Sequence, residues 1–167
     1  DREEVLALVV ELTRLVKKYK GNSLTDQQVT NNNDNLITGQ AKKYDDSLTE
    51  QEVSNMIYGL QGLSSDHPVV LKLVDELTRL LKTYKGSITG QAVGIFLLGL
   101  KGMSSDREEV LALVVELTRL VKKYDGPLTG QNVSNMIYGL QGMSCDRPEV
   151  LVLIIQVSRL ILSLIHI

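Results

Sequence analysis

The chain has no tryptophan, one phenylalanine, one cysteine and three prolines among its 167 residues. With aromatics at 4% and hydrophobic residues at 43%, the apolar mass is leucine, valine, isoleucine and methionine. Such a core suits helix-to-helix seams better than a β-sandwich. The lone thiol, Cys145, excludes an intrachain disulfide and is compatible with a reducing, intracellular setting. No basic cluster surrounds it in sequence, so it reads as a buried thiol near a helix start. An excess of one charge sign is also missing. Eighteen basic against twenty acidic residues leave a formal charge of −2, which supplies no global field for a polyanion.

Catalytic constellations are equally scarce. His67 precedes Pro68 at a helix cap and His166 lies in the last six residues, so neither a metal site nor a histidine base is supported. The acidic residues cluster at helix starts, where capping accounts for them. No glycine belongs to a phosphate-cradling loop. The sequence therefore implies no enzyme, no cofactor, no metal and no small-molecule substrate.

Repetition is what the chain has in abundance. Asp106–Tyr124 repeats Asp1–Tyr19 letter for letter, and Ser64-Ser65-Asp66, Ser104-Ser105-Asp106 and Ser144-Cys145-Asp146 recur at intervals of 40. A strict period filled by two helix-sized patterns predicts an all-α fold, an α-α solenoid of stacked antiparallel helix pairs with period 40. Within one unit, Asp106 is expected to cap a first helix with Glu109 three positions on, as Asp1 with Glu4 and Asp146 with Glu149. Pro68 and Pro148 fall inside the first turn, where a missing N–H costs little. Val110, Leu111, Leu113, Val114, Leu117, Leu120, Val121 and Tyr124 then give a broad apolar face. Gly126 is expected to stop this helix in the left-handed conformation. A second helix opens at Thr129, as at Thr49 and Thr89, with Val133, Met136, Ile137 and Leu140 as its buried stripe. Gly142 reads as its stop. Gly139, like Gly59 and Gly99, sits among apolar positions where glycine costs about 1 kcal/mol against alanine, and so marks a close helix crossing. The expected spans are 1–19, 66–84, 106–124 and 146–161 for the first type and 49–61, 89–101 and 129–141 for the second.

The pattern breaks twice. The first two copies of the long helix are 65 residues apart instead of 40. The surplus holds helix starts such as Leu24-Thr25 and Ile37-Thr38 that run into Asn-rich or misplaced text, as expected of a deletion, recombination or assembly scar. After Ile161 the repeat is lost, and Leu162–Ile167 resembles the translation of a transposase-adapter end. The organisation is thus a partial repeat at 1–29, an irregular insertion or scar at 30–48, a helical repeat array at 49–161 and an artefactual tail at 162–167. A membrane segment over Val150–Ile167 is disfavoured, because Arg159 near its centre would cost about 2.5–3.5 kcal/mol. No membrane partner is expected.

Two surface features stand out. On the second helix, Gln51, Ser54, Asn55 and Tyr58, with Gln61, are matched by Gln131, Ser134, Asn135 and Tyr138, with Gln141, on a polar stripe beside the buried one. Stacked copies would align these into a ladder suited to an extended peptide or to unstacked bases, although a merely solvated face explains such residues too. Gly94, Ile95, Leu98 and Lys101 interrupt the ladder in the middle copy. On the first helix, Arg14, Arg79 and Arg119 could line a phosphate seam, but Glu11, Glu76 and Glu116 three residues earlier make a local ion pair the simpler account. Gln156 leaves Arg159 without that acid.

The text Val133-Ser134-Asn135-Met136-Ile137-Tyr138-Gly139-Leu140-Gln141-Gly142-Met143, followed by Ser-Cys-Asp-Arg-Pro-Glu-Val, resembles the helical-hairpin repeats of the octotricopeptide class over nearly all of 49–161. The resemblance implies single-stranded RNA as partner, in an organelle, with Asn55, Asn135 and neighbouring polar positions as base readers. Charge balance and the generality of solenoids favour instead a scaffold that binds a protein or peptide.

Overall fold

The computed structural model describes residues 3, 7–11, 13–14 and 48–163. The expectations for the Asp1–Glu4 cap, for 15–47 and for the last four residues of the tail lie outside them. Every regular element among the described residues is an α-helix. In chain order these are α1 (Glu50–Tyr58), α2 (Pro68–Thr83), α3 (Gly90–Leu98), α4 (Glu108–Lys122), α5 (Gly130–Gly139) and α6 (Pro148–Ser163), preceded by helical residues at 7–11 and 13–14. α6 runs two residues past Ile161.

Alternate helices pack on one another. α1 contacts α3 and α3 contacts α5 in one row, while α2 contacts α4 and α4 contacts α6 in the other. The core lies between the rows, where Val53, Ile57, Val74, Phe96, Leu97, Leu113, Leu117 and Leu153 are buried in one cluster with Val9. In the short-helix row two glycines permit backbone contact. A Cβ on Gly99 would stand 2.3 Å from the Ile57 carbonyl oxygen, and one on Gly139 1.9 Å from that of Leu97. Gly59, the third glycine of this slot, meets only backbone of its own helix among the described residues.

The helix starts differ by type. Thr49, Thr89 and Thr129 are the N-caps of α1, α3 and α5, each accepting a backbone N–H three residues on. Asp66 and Asp106, however, do not cap α2 and α4. The N-caps are His67 and Arg107, without a side-chain cap bond. Extended backbone at these residues, enforced at His67 by the proline that follows, leaves each aspartate one position too early. Asp66 and Asp106 instead form ion pairs with Arg107 and Arg147 of the following copy, at 3.6 and 3.7 Å.

Two further expectations are corrected. Positive φ is found at Gly62, Gly102 and Gly142, so Gly142 is a left-handed stop, but Gly126 is not. Gly126 is small because the Tyr124 ring lies against it, its hydroxyl donating to the Pro127 carbonyl at 2.6 Å. Tyr84 covers Gly86 and donates to the Ser87 carbonyl in the same way, at 2.7 Å. Cys145, expected to be buried, is exposed. Its counterparts are buried because Ser65 Oγ accepts the Ser104 N–H and Ser105 Oγ accepts the Ser144 N–H across the seam, at 2.8 and 2.9 Å. No following copy reaches Cys145 among the described residues.

Candidate binding groove

The N-terminal ends of α1, α3 and α5 line a trough. One section, of about 360 Å³, is lined by Thr49, Glu50, Gln51, Ser54, Thr89, Gln91, Ala92 and Ile95. The next, of about 700 Å³, again includes Thr89, Gln91 and Ile95 and extends to Ile88, Tyr124, Thr129, Gln131, Asn132 and Asn135. The shared residues make the two sections neighbours along the short-helix row. Gln51, Gln91 and Gln131 thus occupy matching places on three successive helices.

Each helix N-terminus is satisfied by a different route. At α1 the Glu52 carboxylate accepts the Thr49 N–H at 2.8 Å while Thr49 Oγ1 accepts the Glu52 N–H at 3.3 Å. These bonds to Thr49 hold the Glu52 carboxyl below the usual carboxylate range. At α5 Asn132 replaces the glutamate, its Oδ1 accepting the Thr129 N–H at 2.9 Å. At α3 the corresponding residue is Ala92, which cannot reach back. Glu50 of the preceding short helix supplies the acceptor, taking the Thr89 N–H at 3.2 Å and the Thr89 hydroxyl at 2.6 Å. The exchange is reciprocal in sequence. Where Gly90 takes the place of Glu50, a Cβ would lie 3.2 Å from Asn132 Oδ1.

The ladder residues divide accordingly. Gln51 Nε2 donates to Asn55 Oδ1 at 3.1 Å and Gln131 Nε2 to Asn135 Oδ1 at 2.9 Å. Each pair keeps a glutamine carbonyl oxygen and an asparagine NH2 for another partner. At α3 the asparagine position is Ile95, which leaves Gln91 without that local bond. Gln51, Gln131 and Asn135 line the trough, as does Ser54, which is itself buried. Asn55 joins through Gln51. Ser134, Tyr58 and Tyr138 are exposed but lie outside the lining. Tyr138 is engaged across the row, with the Lys101 ammonium 4.0 Å from its ring centroid and hydrogen-bonded to its hydroxyl.

Gln91 is not among the ladder residues expected from the sequence, and Ile95, expected to interrupt the ladder, lines both sections. The signal was present in the Thr-x-Gln spacing shared by Thr49/Gln51, Thr89/Gln91 and Thr129/Gln131. The interruption expected at Gly94 also has a structural cause. Gly94 is buried, and a Cβ there would stand 3.2 Å from the Asn132 backbone.

The arginine seam is occupied internally. Arg14, Arg79 and Arg119 pair with Glu11, Glu76 and Glu116 at 2.6–2.8 Å. Arg119 also donates to the Leu81 carbonyl at 2.7 Å. Arg159, lacking the acid, reaches the Tyr124 carbonyl at 3.0 Å. The Arg119 and Arg159 guanidiniums thus close the ends of α2 and α4, where the macrodipole favours them. Burial, with the Glu50 charge adding, pushes the Tyr84 phenol above its ordinary value; burial does the same at Tyr124. Both hydroxyls therefore stay donors at neutral pH. Among the described residues no group of potential metal ligands is assembled, and no helix is long and apolar enough to cross a membrane. No family model, curated protein or solved structure matches the chain.

Proposed function

We propose that the chain is part of an open α-solenoid of period 40 and serves as a non-catalytic binding scaffold, with the trough along α1, α3 and α5 as its ligand site for an extended protein segment. The observation that carries this reading is the alignment of Gln51, Gln91 and Gln131 along adjoining sections of one groove. Repeating amides present donors and acceptors at intervals, which an extended backbone can meet and a compact small molecule cannot.

Protein is favoured over RNA by the chemistry of the lining. The two sections contain no lysine or arginine, and their one carboxylate, Glu50, is committed to Thr89. RNA binding of the kind the octotricopeptide resemblance implies would draw on cations for phosphate and on aromatic faces for stacking. Here Arg14, Arg79 and Arg119 pair with glutamates, Arg107 and Arg147 with aspartates, Arg159 reaches a helix-end carbonyl, and Lys101 sits over Tyr138.

Fluorescence anisotropy with labelled extended peptides and single-stranded RNA oligonucleotides, run from low to physiological salt, tests the reading. Peptide binding with a shallow salt dependence, weakened about ten-fold by Gln91→Ala, is expected. RNA binding that falls steeply with salt, with no peptide bound, would reverse the assignment.

A further inference from the structure

Resting on the peptide-scaffold reading, the geometry points to a lysine subsite at the α1 end of the trough: the smaller section takes an ammonium group of the bound segment on the Glu50 carboxylate. The first observation is charge. Glu50 is the one charged residue lining either section, and Gly90 and Gly130 hold its place on α3 and α5. The negative charge is therefore confined to one end. It also has no cation of its own, since the arginine pairs among the described residues go to Glu11, Glu76, Glu116, Asp66 and Asp106. Glu50 is half-buried, and a pair formed by a partly buried carboxylate is screened less by salt than an exposed one. Its field reaches the Tyr84 phenol, where it adds to the effect of burial.

The second observation is which oxygens are already used. Glu50 Oε1 accepts both the Thr89 N–H, at 3.2 Å, and the Thr89 hydroxyl, at 2.6 Å. A carboxylate oxygen has two lone pairs, so Oε1 is filled while Oε2 keeps both of its own. Gln51 lines the same section. Its Nε2 donates to Asn55 Oδ1 at 3.1 Å, which leaves its carbonyl oxygen as a second acceptor.

That arrangement selects among cations. A guanidinium recognises a carboxylate best through two parallel N–H bonds, one to each oxygen, and here one oxygen is taken by Thr89. An ammonium is a compact charge with three donors in no fixed plane, so it is able to give one to Glu50 Oε2 and another to the Gln51 carbonyl. Lysine is therefore preferred to arginine, and arginine to a neutral side chain. An acidic ligand residue at this point is disfavoured, because it would meet Glu50 with no cation between them. A lysine lodged in the larger section finds no acid there.

The test uses the 167-residue chain and labelled peptides on an uncharged serine and threonine host, with lysine, arginine, norleucine or glutamate at the centre. Fluorescence anisotropy is expected to show the lysine peptide bound about ten-fold tighter than the norleucine peptide and about three-fold tighter than the arginine peptide, with the glutamate peptide weakest. Glu50→Gln keeps an oxygen for Thr89 and removes the charge. It is expected to bring the lysine and norleucine peptides to equal affinity while circular dichroism stays unchanged. Glu108→Gln removes an exposed carboxylate of α4, outside the trough, and is expected to keep the lysine preference. A preference that survives Glu50→Gln, that falls equally in Glu108→Gln, or that turns to arginine overturns the subsite. Equal binding of all four peptides does so too, with the scaffold reading intact. Failure of every peptide overturns the scaffold reading itself, and the subsite with it.

Discussion

Val53–Gly62 and Val133–Gly142 are the same ten residues in the same order, yet beyond a shared core-facing edge they bury different sides. Ile57 is 1% exposed and Ile137 57%. Ser54 is buried and Ser134 exposed, while Met56 is only half-buried and Met136 fully so. The cause lies in the neighbours. α1 is covered by α3 on the side of Ile57 and Ser54, whereas α5 is covered by α3 on the side of Met136 and Gly139. An amphipathic pattern thus states which residues are able to be buried, and the packing partner selects among them.

The sharpest way to break the comparison is to place a methyl group at the shared glycine. Gly139→Ala must push the helix away from the Leu97 carbonyl and is expected to destabilise by about 3 kcal/mol in urea denaturation. Among the described residues a Cβ on Gly59 meets only its own helix, and Gly59→Ala is expected to fall within about 1 kcal/mol of the parent, on the stabilising side. Equal effects would remove the claim that seam contact separates the two segments.

Truncating the shared isoleucine reverses the roles. Ile57→Ala empties a buried position and is expected to cost about 2.5 kcal/mol, whereas Ile137→Ala changes an exposed one and is expected to cost about 0.5 kcal/mol or less. The difference between their urea midpoints is the measurement.

A smaller effect separates the helix starts. Glu50→Gly removes the acceptor that α1 lends to Thr89 and is expected to cost about 1 kcal/mol. Adding Ala92→Asn gives α3 the local arrangement of α5 and is expected to recover most of that loss. A double variant no more stable than the single one would show that the Glu50 bond contributes nothing to α3.

The smallest expected effect is on pH dependence. Glu52 has a lowered folded-state pKa, so its contribution to stability is complete above the unfolded carboxylate value and disappears as pH falls through the lowered one. Asn132 holds the corresponding place in α5 and does not titrate. Glu52→Asn is therefore expected to flatten the acid side of the stability profile, measured by thermal melts between neutral and acidic pH, without changing its neutral shape.

Much of this was legible in the sequence. The threonine N-caps, the glycine stop at Gly142, the glycine crossings at Gly99 and Gly139 and the Glu–Arg pairs all follow from residues within about four positions of one another. The aspartate cap expected at Asp106 falls one residue early because extended backbone at Arg107 makes that residue the N-cap. In the groove, Gln51 and Gln131 were visible as a pair, but Gln91 was passed over because its partner position holds Ile95. Cys145 was misjudged for another reason. A thiol aligned with the buried Ser65 and Ser105 is exposed where, among the described residues, no N–H of a later copy reaches it.

The sequence by itself determined where helices begin, end and are able to approach, because capping, periodicity and the steric allowance of glycine act within a turn or two of chain. Only the tertiary structure decided which side of a repeated segment is buried, that Glu50 caps a helix not its own, and that Arg119 closes the preceding helix. Those choices depend on groups brought together from 38 or 39 residues away, and a local stretch of sequence reads the same whether or not they arrive.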